Sequence, residues 1–294
     1  MESHDQKLLF RHLELQNGDY ELDITPEKAG WTYSGLKVLK LQPNQAKSLH
    51  FESYEICILP LNVRGVSVTV DSKNYTLSGR LDVFKEVSDF IYIPIDTKFQ
   101  ICSETEGLVA IPYAKATKKF EVAYIPSNQI RVELRGAGQA TRQINNFFSP
   151  TAFENADKLC AVEVFTPAGN WSSYPPHKHD TESEHEAQLE EIYYFRTDDP
   201  KGFAFHRTYT KDQELDETET VRHGDLFLVP KGYHGPTVTP PGYNLYYLNV
   251  LAGPGQKRSM QFCDDPDYHW IRDSWKREDL DKRLPMSLGG YPEA

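Results

Sequence analysis

Short runs of β-branched and aromatic residues, each closed by a turn signal, recur along the whole chain and leave little room for anything but strands. They read EICILPLNV, GVSVTV, DFIYIPI, EEIYYFR, GFAFHRTYT, GDLFLVP and NLYYLNVLA. Side chains of this kind fit a pleated, half-buried surface better than a helical bundle, and the 17 Tyr and 15 Phe reinforce that bias. Helical periodicity is weak except near the end, where HWIRDSWKREDLDKRL, from His269 to Leu284, predicts a polar-faced terminal helix. The fold class expected is all-β with a short C-terminal helix.

Gly and polar residues interrupt the strand pattern in RGAGQATRQINNFF, residues 135 to 148. A division there gives halves of 1–140 and 141–294, each about the size of one barrel. The halves echo one another. A strand ending in Pro94 has Lys98 four residues on, and a strand ending in Pro230 has His234 four residues on.

Composition excludes several classes of function. No stretch approaches the ~20 apolar residues of a membrane span, and MESHDQKLLF lacks the layout of a secretory signal. Cytoplasmic residence is the expectation. A net charge of −11 argues against nucleic acid, which needs clustered Lys and Arg, but leaves room for a small anionic substrate in a local pocket. Cys57, Cys102, Cys160 and Cys263 are scattered without a CxxC pair, which predicts free thiols rather than a disulfide framework.

The most informative segment is GNWSSYPPHKHD. His177 and His179 alternate with Lys178, so in a strand both imidazoles project from one face. A later strand, LEEIYYF, supplies Glu190 and Glu191, and GDLFLVPKGYHGP supplies His234 beyond a Pro-x-Gly turn. Three imidazoles and one carboxylate suit a single divalent ion, Zn first, with Mn or Fe as alternatives. Adjacent strand residues face opposite ways, so only one of the two glutamates can enter the barrel, and the pattern alone leaves the choice open. The other histidines lack such company. His185 lies in an acidic run that reads as a solvated loop; His4, His12 and His50 have no partners at suitable spacing; His206, His223 and His269 read as ordinary polar residues.

HKH, the Glu before IYYF and the string from Gly224 to His234 resemble the two cupin motifs. More closely, WSSYPPHKHD, LEEIYYFR, RTYT, LVPKGYH and YNLYYLNVLAGP, with GR near residue 80 and RGAG at 135 to 138, resemble the 5-deoxy-glucuronate isomerase family of myo-inositol catabolism. Cupins at large place fewer residues between the second histidine and the glutamate, whereas eleven intervene here, and they separate the last Gly and His by more than the single Tyr233. Both departures suit the isomerase family. The resemblance implies a bicupin, two jelly-roll-type barrels, with one divalent metal in the second held by His177, His179, Glu191 and His234. It also implies an aldose–ketose isomerisation of 5-deoxy-D-glucuronate to 2-deoxy-5-keto-D-gluconate.

Polar residues on barrel strands are candidates for the remaining chemistry. Arg207 and Tyr209 share one strand face, and Tyr247 and Asn249 share another. Arg207 could grip a substrate carboxylate with its planar guanidinium; the alternative is that the tyrosines fill the core and Arg207 faces solvent. Lys178 reads as structural or exposed. The first half lacks the constellation, since HFESYE has no second histidine and Lys98 stands where His234 would be. It is expected to be structural, packing against the other barrel or contributing to a homo-oligomer. Two rivals stand beside the isomerase: an Fe(II) cupin dioxygenase, and a non-enzymatic sugar-binding cupin. Neither membrane nor nucleic acid is an expected partner.

Overall fold

The structure is a computed structural model, nearly all-β, and it describes residues 6–287 and 289–292. His4 lies outside the described residues. The first barrel contains β1 (Tyr20–Ile24), β2 (Ser34–Leu41), β3 (Lys47–His50), β4 (Tyr54–Pro60), β5 (Val63–Val70), β6 (Lys73–Arg80), β7 (Phe90–Ile93), β8 (Lys98–Ser103) and β9 (Gly107–Lys115). The second contains β10 (Arg142–Phe148), β11 (Cys160–Thr166), β12 (His177–Lys178), β13 (Glu190–Thr197), β14 (Phe203–Tyr209), β15 (Asp216–Arg222), β16 (Leu226–Val229), β17 (Tyr233–Val238) and β18 (Leu245–Ala252).

The two barrels repeat one topology. In the first, one sheet runs β7-β4-β9-β2-β1 and the facing sheet β3-β8-β5-β6. In the second the orders are β16-β13-β18-β11-β10 and β12-β17-β14-β15. This is the bicupin arrangement. The Pro94 and Pro230 echo marks equivalent places, because His50 pairs with Lys98 across β3 and β8 just as His177 pairs with His234 across β12 and β17. The barrels also exchange short pieces. Leu9–Phe10 pairs with β16, and the strand Arg131–Arg135 pairs with β10, so two segments ahead of residue 140 belong to the second barrel's sheet.

The barrels pack sheet against sheet, which explains why the stretch ICILPL, from Ile56 to Leu61, is apolar at every position. Along β4, Ile56 and Ile58 point into the first barrel with Val66, Ile91 and Ile93, while Cys57 and Leu59 point the other way. That outer face joins Tyr92, Phe148, Phe165 and Tyr246 in a core continuous with the second barrel. A strand buried on both faces has no solvent side to read as polar.

Polar clamps fix this contact. Glu55, at the start of β4, accepts the backbone N–H groups of Asp157, Lys158 and Leu159 at 2.8, 2.6 and 2.7 Å, where the second barrel's chain enters β11. Glu190 occupies the equivalent place on β13 and accepts the N–H groups of Thr32, Tyr33 and Ser34, each at 2.8 Å, where the first barrel's chain enters β2. Each barrel thus holds the other by the same device. Between them Arg80, from the GR motif, is fully buried and ion-pairs with Glu163, which also accepts from Tyr246 Oη and Asn145 Nδ2 at 3.0 Å each.

The C-terminal helix is shorter than the sequence predicts. It covers Ile271–Ser274, followed by a 3-10 turn at Trp275–Arg277. Beyond it, tertiary partners claim the backbone and side chains: Asp279 O accepts from Gly138 N at 2.8 Å, and Asp281 accepts from Asn170 Nδ2 at 3.0 Å. All four cysteines are free, Cys57 and Cys160 buried. No described helix is long and apolar enough to cross a membrane.

Candidate functional site

The second barrel opens into a cavity of about 810 Å³ whose floor is the inner face of β10, β11, β18 and β13. His177 and His179 reach it from the HKH strand, which lies between β17 and the short strand Cys263–Asp264. His234 arrives on β17, directly beside His177, with ring centroids 4.4 Å apart. The backbone around His234 demands glycine on both sides. Gly232 has φ +84°, and a Cβ there would stand 2.5 Å from Tyr209 O; Gly235 has φ +98°, and its Cβ would stand 1.8 Å from Ser173 O.

Strand parity separates the two glutamates. Glu190 turns outward to its clamp, and Glu191 turns inward, where its Oε2 lies 2.9 Å from His179 Nε2 and 3.0 Å from His234 Nε2. Donor atoms of His179, Glu191 and His234 all lie within 4.8 Å of one another. The His177 ring stands beside this trio, 6.3 Å from that of His179.

These side chains fit a cation. His179 Nδ1 lies 3.2 Å from Leu189 O, so it carries the proton, and Nε2 turns a lone pair toward the Glu191 carboxylate. Two facing lone pairs require a proton or a metal ion between them. Despite its proximity to Glu191, the buried His234 ring makes no hydrogen bond of proper geometry through either nitrogen. An orphaned imidazole in a dry site is costly unless it has a ligand to bind. Burial would raise the Glu191 carboxyl, but the electrostatic pull of the adjacent His234 and His179 outweighs it and holds the group well below the usual carboxylate range. Burial lowers His177 and His234, and neighbouring histidines lower both further. His179 is the exception: burial opposes its protonation, yet the hydrogen bond and charge of Glu191 raise it. Neutral imidazoles and an ionised carboxylate are the forms that ligate metals.

The eleven-residue insertion before Glu191 folds back on the site. Lys178 Nζ donates to Asp180 at 2.7 Å and to both Glu186 oxygens at 2.8 Å, and Asp180 Oδ2 accepts from Gly232 N at 2.7 Å. The loop therefore braces the Pro-x-Gly turn that carries His234. Lys178 is engaged by the loop's carboxylates, and His185 is exposed.

Of the polar candidates, Tyr247 and Asn249 line the cavity and Arg207 and Tyr209 do not. The reason is pleat parity on β14. His206 and Thr208 point into the barrel, so Arg207 and Tyr209 point out. Arg207 forms a two-pronged ion pair with Asp216 at 2.8 Å for each bond and lies 4.1 Å above the Tyr209 ring; Tyr209 Oη donates to Asp265. His206, read as ordinary, is a fully buried core residue packed 4.6 Å from the Tyr193 ring, with Nδ1 2.8 Å from Thr237 Oγ1.

Sequence reasoning missed two groups. Ser173 Oγ lies 3.2 Å from both Tyr193 Oη and Tyr247 Oη, a buried hydroxyl cluster beside Glu191. Arg131, Glu133 and Arg135 line the cavity from the extra strand, with Arg142 on β10. The signal of the first three lies in RVELR, where charged residues alternate with Val132 and Leu134, but it falls just ahead of the boundary at residues 135 to 148 and so reads as part of the first half.

Among the described residues, the first barrel does not repeat this cluster. Register equates Glu191, paired with Val229 and Leu251, with Ile56, paired with Ile93 and Tyr113. Ile56 and Tyr113 belong to an apolar core, joined by the partly buried Phe51 and Tyr54, and His50 is exposed beside Asp96.

A family model for KduI/IolB proteins matches residues 8–271. The chain belongs to the KduI/IolB family. It is 40% identical over 253 residues to a protein of Geobacillus kaustophilus (strain HTA426) named 5-deoxy-glucuronate isomerase, covering 85% of this chain and 90% of that one. Among solved structures, an IolB-like protein from Salmonella typhimurium LT2 superposes with a TM-score of 0.83 at 35% identity, covering 90% of this chain and 99% of the other. An oxalate decarboxylase from Lactobacillus farciminis superposes with a TM-score of 0.63 at 11% identity over 89% of each chain, a likeness of fold alone.

Proposed function

We propose that this member of the family is a metal-dependent aldose–ketose isomerase, converting 5-deoxy-D-glucuronate to 2-deoxy-5-keto-D-gluconate in myo-inositol catabolism in the cytoplasm. One observation carries the reading: the buried His179–Glu191–His234 cluster, of which His179 and Glu191 line the cavity, in a chain whose curated relatives bear that isomerase's name. His177, His179, Glu191 and His234 would hold one divalent ion, zinc or manganese. When bound, such an ion would supply Lewis acidity toward the sugar's carbonyl, and the reaction would need no change in its oxidation state.

The chain's own residues supply the rest. Moving a carbonyl by one carbon removes a proton from the neighbouring carbon and returns one to the carbon that held the aldehyde. Burial raises the Tyr193 and Tyr247 phenols, so both stay protonated at neutral pH. With Ser173 between them, each hydroxyl can donate and accept, which suits the cluster to relaying protons between the sugar's oxygens. Asn249 Nδ2 is buried without a hydrogen-bond partner and turns a spare donor to the same space. The first barrel, with an apolar core at the equivalent place, holds neither metal nor substrate and braces the second.

The test is anaerobic incubation of metal-replete protein with 5-deoxy-glucuronate, following ketone formation. Turnover should need no nicotinamide or oxygen, stop on chelation and return with Zn or Mn. In deuterated water the product should carry solvent deuterium at the carbon that gains hydrogen. Metal-loaded protein that leaves the uronate untouched but consumes oxygen with another substrate would replace the isomerase by a dioxygenase.

A further inference from the structure

The net charge of −11 makes the cations that line the cavity conspicuous, Arg131, Arg135, Arg142, Lys257 and Arg258 among them. Arg135 and Arg142 are directly opposite in register, on the extra strand and β10, and both face the cavity. Arg142 is only 6% exposed. Its Nη1 donates to Ala140 O at 3.1 Å and Tyr174 O at 3.4 Å, and its guanidinium lies 5.2 Å over the Trp275 ring. No described carboxylate forms an ion pair with it. Burial and the neighbouring Arg135 push its pKa down to about 9, which still leaves it charged at neutral pH. A buried cation held by neutral carbonyls and an aromatic ring, beside a second cation, lacks its counter-ion. Arg135 is partly satisfied already: Glu133, two residues earlier on the same face, accepts from its Nε at 2.6 Å and its Nη2 at 3.0 Å.

We propose that Arg142, assisted by Arg135, is the carboxylate-binding end of the cavity, so that a sugar acid lies across the sheet with its acid group at β10 and its reacting end at Glu191. This rests on the isomerase reading for the identity of the reacting end. Arg142 and Glu191 stand three strands apart in the sheet and about six residues apart in register along it, and both line the same cavity. Tyr247 lies between the ends and feels both charges, the Arg142 cation lowering and the Glu191 carboxylate raising its phenol. In 5-deoxy-glucuronate the acid and the aldehyde are at opposite ends of the chain, so holding the acid at Arg142 sets the aldehyde, and not the carboxylate, against the histidines. Arg142 and Arg135 are thereby specificity-determining residues, replacing Arg207 in that role.

The test uses two linear probes that need no turnover, D-gluconate and its uncharged counterpart D-sorbitol, titrated calorimetrically into metal-replete protein. Wild type should bind gluconate at least about tenfold more tightly than sorbitol, the lower range for a hydrogen bond to a charged partner. Arg142→Gln should erase most of that preference and leave sorbitol binding unchanged, which a general structural defect would not do; Arg142→Lys should keep part of it. Should Arg142→Gln fail to fold, the partly exposed Arg135 carries the test: Arg135→Gln should weaken gluconate, and Glu133→Gln, which frees Arg135, should tighten it. Gluconate preference unchanged in the folded Arg142 and Arg135 variants would overturn the assignment. Because titration is independent of catalysis, absent turnover with an intact, Arg142-dependent preference sinks the isomerase reading alone. Normal turnover with an unchanged KM for 5-deoxy-glucuronate in Arg142→Gln sinks this inference alone.

Discussion

Replacing Glu190 and Glu191 by glutamine, one at a time, sets two neighbouring carboxylates with different tasks against each other. Glu190 accepts three backbone N–H bonds of 2.8 Å from the first barrel, two of them through Oε2. A glutamine keeps one carbonyl oxygen and must turn its NH₂ toward the remaining donors, so one or two N–H groups lose their acceptor. Hydrogen bonds to a charged group contribute about 1.5–3 kcal/mol each. Burial works the other way, raising the Glu190 carboxyl in spite of its N–H donors. Because its side chain is only partly buried, a net loss of about 2 kcal/mol is the reasonable expectation for Glu190→Gln, with roughly a 4 °C fall in Tm for a protein of this size. Its metal content should be unchanged. Glu191→Gln should do the reverse, because an amide cannot supply the negative charge that the histidine nitrogens face. Metal analysis after gel filtration and scanning calorimetry on both variants separate the outcomes. Metal loss from Glu190→Gln with retention in Glu191→Gln would refute the strand parity on which the site is built. The same reasoning applies to Glu55→Gln, the equivalent clamp of the first barrel, which should destabilise without touching the metal.

Other expectations are narrower. His179→Ala and His234→Ala should each strip the ion, since each removes one donor from a set of three or four, and stoichiometric metal in both would contradict the assignment. His50→Ala and Lys98→Ala should leave kcat within a few-fold of wild type; a hundredfold loss, about 2.7 kcal/mol of transition-state stabilisation, would move chemistry into the first barrel. Arg207→Lys should leave the KM for 5-deoxy-glucuronate unchanged, because its guanidinium is engaged by Asp216 outside the cavity, and a several-fold rise would return Arg207 to the substrate. Asp180 has its carboxyl lowered from 3.8 to about 2; burial opposes the shift, and Lys178 and the Gly232 N–H drive it. Its contribution is present above pH 3.8 and lost as pH falls toward 2. Acid denaturation of Asp180→Asn should lack that part of the slope, and an identical slope would show that the brace contributes nothing.

Much of this protein was legible in residue order because strand physics is local. Alternation and turn chemistry sufficed to read the all-β class, and the HKH spacing put two imidazoles on one face without reference to any partner. The tandem echo was visible in two proline turns because equivalent strands of the two barrels keep the same register. What residue order could not decide was which face of a strand meets the cavity when both faces are buried. Glu190 and Glu191 differ by one step of the pleat, as do His206 and Arg207, and only the packing of one barrel against the other says which step points inward. The terminal helix stops after Ile271–Ser274 for a related reason: the groups that would have continued it are bonded to segments more than a hundred residues away in sequence. The cationic end of the cavity was likewise hidden in RVELR, because a strand that serves the second barrel lies, in sequence, at the end of the first. Sequence determined the local chemistry and periodicity; the meeting of two barrels decided which of those side chains share a space.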